Sequence, residues 1–239
     1  MCTVSYIPLS NNNYILTSNR DESYDRTEVI FPSIKPIDQK IIVFPKDKKA
    51  GGTWIACDNN GLSICLLNGA LEYHKHMPPY KKSRGLVLLE AFNFKNPIDF
   101  IENYNFIDIE PFTLIFCNSK NNLELIEFFW NGNEKKYNKI DDTKPKIWSS
   151  AKLYSQEIVI IKNKRFDKFT KQTQDFDTEK IRNFHKGSNN KNTDDSYLID
   201  LGFVGTISIT NIEKKDNSFN IVYEDLISEA IKKDNIDIV

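Results

Sequence analysis

Stretches with strand character come in blocks along this chain, with helix-forming stretches between the blocks rather than between successive strands, and that order constrains the fold most. Residues 2–8 alternate and are β-rich, Asn11, Asn12 and Asn13 make a turn, and 14–17 return as a second run. A second hairpin follows a proline-containing loop: residues 41–44 and 52–57, the turn Asp58 to Gly61, then 62–67. Two short helices are expected next, one over 84–92 behind Ser83 and one opened by Asn96 and Pro97 and ending near 104. Strands return at 112–117 and 123–130, and Asn131 with Gly132 turns into a weaker one. Residues 151–185 carry a blurred helical spacing of Leu153, Ile160, Ile161, Phe166 and Phe169. A polar surface loop over 186–196 leads to a last hairpin, 205–212 with 218–223. The charges from 224 to 237 suggest a solvated helix face or a tail. This is a layered α+β order, and it disfavours Rossmann and TIM-barrel folds, which alternate strand and helix.

The 239 residues suit one domain over 1–239, with no internal repeat or linker. Thirty-two Lys and Arg against 33 Asp and Glu give no charge excess of the kind that gathers nucleic acid. The longest mainly apolar run, 86–92, is far short of the roughly 18 residues that span a bilayer. The N-terminus enters a strand at once, unlike a secretory leader, so a cytoplasmic location is expected. No CxxC pair marks a metal site, and Cys57, Cys65 and Cys117 sit in apolar runs as small buried hydrophobes. His74 and His76, two apart in a proline-rich loop, have the spacing of ordinary exposed histidines, and His185 stands alone on a polar helix end. With nine glycines and no phosphate-loop pattern, neither metal nor nucleotide cofactor is expected.

Cys2 differs from the other cysteines by its position. A residue this small after the initiator lets an aminopeptidase remove Met1, leaving thiol and α-amine on one residue. A free α-amine has a reference pKa of about 7.7 to 8.0, so it can take the thiol proton near neutral pH. A retained Met1 would leave no such base.

Met1-Cys2-Thr3, Asn19-Arg20-Asp21-Glu22, Gly51-Gly52-Thr53-Trp54, Asn60-Gly61-Leu62, Leu67-Asn68 and Ser83-Arg84-Gly85 together resemble the NRDE family, also called the transport and Golgi organisation 2 family. Gly205-Thr206 and Tyr223-Glu224 resemble its C-terminal hairpin, while Trp148-Ser149-Ser150 departs from the Leu-Ser-Asn the family usually has. That family resembles cysteine N-terminal-nucleophile hydrolases, including the conjugated-bile-acid and penicillin V acylases, which implies a four-layer αββα sandwich of two antiparallel sheets flanked by helices. The resemblance further implies Cys2 as nucleophile, Arg20 and Asp21 beside it, and Asn68 as a side-chain donor to the oxyanion. Arg20 would favour thiolate and Asp21 would hold the α-ammonium. Asn19 and Glu22 are expected to be structural, and Trp54 to be core or pocket lining rather than a ligand contact.

Two functions follow from the resemblance. One is an enzyme that transfers an acyl group from a linear amide or ester to Cys2 and then to water. The other is a binding or trafficking protein that keeps the pocket without turnover, its ligand haem or an acyl-lipid-type molecule.

Overall fold

The computed structural model describes residues 3–70, 74–150, 156–187 and 197–239. Cys2 lies outside them, as do residues 151–155 of the expected helical stretch and most of the expected 186–196 loop.

One antiparallel sheet begins with β1 (Thr3–Pro8) and β2 (Tyr14–Ser23), whose turn uses Asn11 and Asn12 at φ 59°. Asparagine tolerates this left-handed conformation better than most residues. The sheet is completed by β10 (Lys146–Ser149), β11 (Val204–Lys215), β12 (Ser218–Asp225) and β13 (Ile231–Asp237), in the order β10-β1-β2-β11-β12-β13. The second sheet runs in chain order through β3 (Val29–Ile37), β4 (Lys40–Asp47), β5 (Ile55–Asp58), β6 (Leu62–Asn68), β7 (Phe112–Asn118), β8 (Glu124–Trp130) and β9 (Lys135–Ile140).

Alternate side chains of each strand sort into three apolar layers. Val4, Tyr6, Leu16 and Ile221 of the first sheet meet Val43, Ile55, Leu67 and Ile115 of the second, forming the middle core. Ile42, Ile64 and Phe116 face outward onto α1 (Arg84–Ala91) and α2 (Pro97–Asn103) through Leu88 and Phe100. Ile7 and Ile15 face the other way, onto Phe166 of α3 (Gln156–Gln172) and Ile181 of α4 (Thr178–Lys186). Each fully buried side chain of this size contributes roughly 1.5–3 kcal/mol of transfer free energy. The result is the expected four-layer αββα sandwich.

Helix α2 starts as its sequence predicts, the Asn96 side chain accepting from the Asp99 N–H at 2.9 Å with Pro97 in the first turn. Ser83 holds the cap position of α1 but makes no side-chain capping bond. Cys57, Cys65 and Cys117 are fully buried in the middle core, as expected of small hydrophobes. Among the described residues, no helix is long and apolar enough to cross a membrane.

Three elements differ from the sequence expectation. The proline-containing segment before residue 41 is strand β3; it lies at the edge of its sheet, where Pro32 and Pro36 cost no ladder bond on the open side, and its register shifts between Ile30 and Ser33. Residues 146–149 form the short edge strand β10. The charged C-terminal stretch is neither helix nor tail but edge strand β13, paired to β12, with Ile236 and Ile238 packed against the middle core.

Candidate functional site

Three of the four residues expected from sequence, Arg20, Asp21 and Asn68, lie together; the fourth, Cys2, is outside the described residues. Arg20 and Asp21 come from the last half of β2, Asn68 is the final residue of β6, and all three line one cavity of about 960 Å³. The segment 52–54 and the N-terminal turn of α1 form other parts of its wall. Close backbone approach makes that wall: a Cβ on Gly52 would stand 2.6 Å from the Gly85 carbonyl carbon, and one on Gly85 would stand 2.6 Å from the Thr53 oxygen. Glycine at both positions lets the loop before β5 touch the start of α1.

Arg20 and Asp21 are neighbours on a strand, so they face opposite ways. Arg20 turns toward the second sheet. Its Nη2 lies 2.5 Å from Asp47 Oδ2, and its guanidinium sits 4.5 Å from the centroid of the Trp54 ring. Asp47 also accepts from Arg26 Nη2 at 2.7 Å and from the N–H groups of Lys49 and Ala50. Burial pushes the Asp47 carboxyl up, but the Ala50 N–H and the two guanidiniums outweigh it and hold the group below its usual range. Burial pulls Arg20 down against the attraction of Asp47.

Asp21 turns toward the helix layer, where Thr206 Oγ1 donates to its Oδ1 at 2.6 Å. Burial raises its carboxyl to about 6, against the Thr206 hydroxyl and the Lys162 charge. The pairing of β2 with β11 slips here: Asp21 opposes Thr206 while Arg20 opposes Ser208, leaving Ile207 as an extra residue. A bulge of this kind re-aims side chains at a strand end.

Asn68 is tied from behind. Ser150, which stands where the family-like pattern would have an amide, donates its hydroxyl to the Asn68 backbone oxygen at 2.5 Å and so bridges the two sheets. Thr3, the covalent neighbour of Cys2, is buried and pairs with Ser149. Cys2 itself lies outside the described residues.

Other expected residues are sorted as follows. Asn19 is structural, donating to the Tyr197 carbonyl at 2.8 Å, and Glu22 pairs with Arg26 at 2.8 Å. Trp54 is buried and lines the cavity. His76 is exposed as expected, but His74 is largely covered, and both ring nitrogens reach Glu110 Oε1, at 3.0 and 3.2 Å. Glu110, which also pairs with Arg84 at 3.1 Å, is the partner that sequence spacing did not reveal. His185 is not alone on a polar surface. It is fully buried, 2.7 Å from Ser5 Oγ and 2.8 Å from Asn19 Oδ1, and burial, with the nearby Lys162 charge, lowers it to about 3. The imidazole is therefore neutral, donating from Nδ1 to the Asn19 carbonyl oxygen and accepting the Ser5 hydroxyl at Nε2. Helix α4 presents Ile181, Phe184 and His185 to the sheet together, a spacing that marks this histidine as inward-facing.

Among the described residues, no group of three or more His, Cys, Asp or Glu side chains is placed to hold a metal ion. Lys81, Lys82 and Arg84 at the mouth, with Arg20, Arg26 and Lys49, make six cationic side chains in the lining against four carboxylates.

Three solved structures share this architecture. Conjugated bile acid hydrolase from Clostridium perfringens, solved as a cysteine-to-alanine variant, superposes with a TM-score of 0.55 at 10% identity, over 100% of this chain and 92% of that one. Penicillin V acylase from Agrobacterium tumefaciens gives 0.57 at 11%, over 100% and 86%. The Caenorhabditis elegans ortholog of N-acylethanolamine-hydrolyzing acid amidase gives 0.51 at 11%, over 88% and 92%. At such identity the likeness establishes the fold, that of N-terminal-nucleophile hydrolases. No curated protein matches the sequence. The sequence model of one family matches residues 1–230, and the chain accordingly belongs to the Transport and Golgi organisation 2 family.

Proposed function

We propose that this protein is an N-terminal-cysteine hydrolase of linear amides or esters. The observation that carries the proposal is that Asn68 lines the same cavity as Arg20 and Asp21, nearly fifty positions earlier on the strand paired to the one that Cys2 precedes. The reading requires position 2 to share the face of Val4, Tyr6 and Arg20, the side of the first sheet that looks toward the second.

In the proposed reaction the α-amine takes the Cys2 thiol proton, and the sulfur attacks the carbonyl carbon. The tetrahedral oxyanion accepts a hydrogen bond from the Asn68 amide, and the C–N or C–O bond breaks as the α-ammonium returns its proton to the leaving amine or alcohol. Water, deprotonated by the same amine, then cleaves the thioester and restores the thiol. Arg20 favours the thiolate, and Asp21 holds the ammonium. The three solved structures named above are, by their names, a conjugated bile acid hydrolase, a penicillin V acylase and an ortholog of an N-acylethanolamine-hydrolyzing acid amidase, which supports this class of substrate.

The test is a stopped-flow measurement of p-nitrophenol release from p-nitrophenyl octanoate. A burst of one equivalent is expected, absent in Cys2→Ala and slowed about 10²–10³-fold in Asn68→Ala. A burst unchanged in Cys2→Ala would overturn the proposal.

A further inference from the structure

Two hydrogen-bond donors in the cavity wall lack an acceptor. Arg20 is 3% exposed and Trp54 5%, and both line the cavity. Arg20 Nη2 is committed to Asp47, but Nη1 is buried and, among the described residues, has no hydrogen-bond partner; the same holds for Trp54 Nε1. The other two tryptophans are not like this. Trp130 Nε1 donates to the Ile109 carbonyl at 2.9 Å, and Trp148 Nε1 donates to Glu127 Oε1 at 2.7 Å. A buried donor without an acceptor is costly to a fold, and these are the two such side-chain donors among the described residues that line the cavity.

The Arg20 guanidinium carbon lies 4.5 Å from the centroid of the Trp54 ring, which sets the two side chains against each other in one wall of the cavity. The charge around them selects an anion. Asp47 is saturated by two arginines and two backbone N–H groups, and Glu110 by two histidines and Arg84. Lys81, at the mouth, is exposed and has no carboxylate within ion-pair distance among the described residues. We infer that Trp54 Nε1 and Arg20 Nη1 form a two-donor receptor for a carboxylate, and that the cavity takes an acidic acyl ligand through it. Trp54 is then a specificity-determining contact, not lining alone.

This deepens the hydrolase reading, because it uses the same cavity, but it needs no turnover. The experiment is calorimetric titration of the full chain, as wild type and as Cys2→Ala, with octanoate and phenylacetate and with their neutral amides. At least one carboxylate is expected to bind saturably, about tenfold tighter than its amide. Trp54→Phe, which keeps the ring and deletes the N–H, is expected to erase most of that preference while leaving amide binding within about twofold. Should this variant fail to fold, the wild-type protein labelled with ¹⁵N carries the test: the Trp54 indole N–H resonance is expected to move on carboxylate binding, while those of Trp130 and Trp148 stay. Binding of neither carboxylate, equal binding of acid and amide, or an unmoved Trp54 resonance would overturn the inference. A Cys2→Ala protein that binds carboxylate normally beside a wild type that never forms an acyl-enzyme would count against the hydrolase reading alone.

Discussion

His185 shows how one buried side chain couples the helix layer to the site. It spans Ser5 of β1 and Asn19 of β2, one residue from Arg20, and it is held neutral. Its folded pKa lies below its unfolded value of 6.5, so the unfolded chain binds more protons between pH 6.5 and about 3. Stability is complete above pH 6.5 and falls as the pH drops through that window. The cost is on the order of 3 kcal/mol by pH 4. Asp21 acts with the opposite sign. Its carboxyl is raised from 3.8 to about 6, so burying it is free of penalty below the lower value and most unfavourable above the upper one. Urea melts across pH are expected to show His185→Gln losing less stability than wild type between pH 6.5 and 4, because glutamine can make both bonds without titrating. Parallel curves for the two proteins would refute the assignment. The helical spacing with Ile181 and Phe184 carried the inward direction of His185, but not its partners, since Ser5 and Asn19 are 180 and 166 positions away.

At the scale of elements, paired glycines and edge strands do the positioning. Gly52 and Gly85 let the loop before β5 press on the first turn of α1, and both residues line the cavity. Gly85→Ala must displace the Thr53 oxygen, so chemical denaturation is expected to show a loss of about 1–3 kcal/mol; a change within about 0.5 kcal/mol would contradict the close approach. The sequence made this legible, because Gly-Gly-Thr-Trp and Ser-Arg-Gly stand out in a chain with nine glycines. Strong hairpins were legible for the same kind of reason: Asn11 with Asn12, and Asp58 to Gly61, carry turn chemistry that names the conformation. Edge strands were not. β3 carries two prolines and β13 alternates little, because one side of each needs no partner and one face is mostly solvated. Charge on β13 therefore imitates a helix face until the pairing with β12 is seen.

The whole molecule brings distant segments to one end of a two-sheet sandwich, which is why the site appears only once both sheets are assembled. β2 supplies Arg20 and Asp21, β6 supplies Asn68, and Ser150 after β10 ties Asn68 across the sheets. Pattern alone reached a layered α+β order; the layer count and the grouping of Arg20, Asp21 and Asn68 came from motif resemblance, because no local spacing encodes that residues 20 and 68 line one cavity. In the proposed mechanism everything rests on thiol and α-amine working together on residue 2. The most direct measurement of that pairing is the mass of the N-terminal peptide before and after a brief reaction with p-nitrophenyl octanoate, quenched in acid. The expected peptide starts at Cys2 without Met1 and gains one octanoyl group on that residue. A peptide that retains Met1, or that stays unmodified while the ester is consumed, would contradict the mechanism.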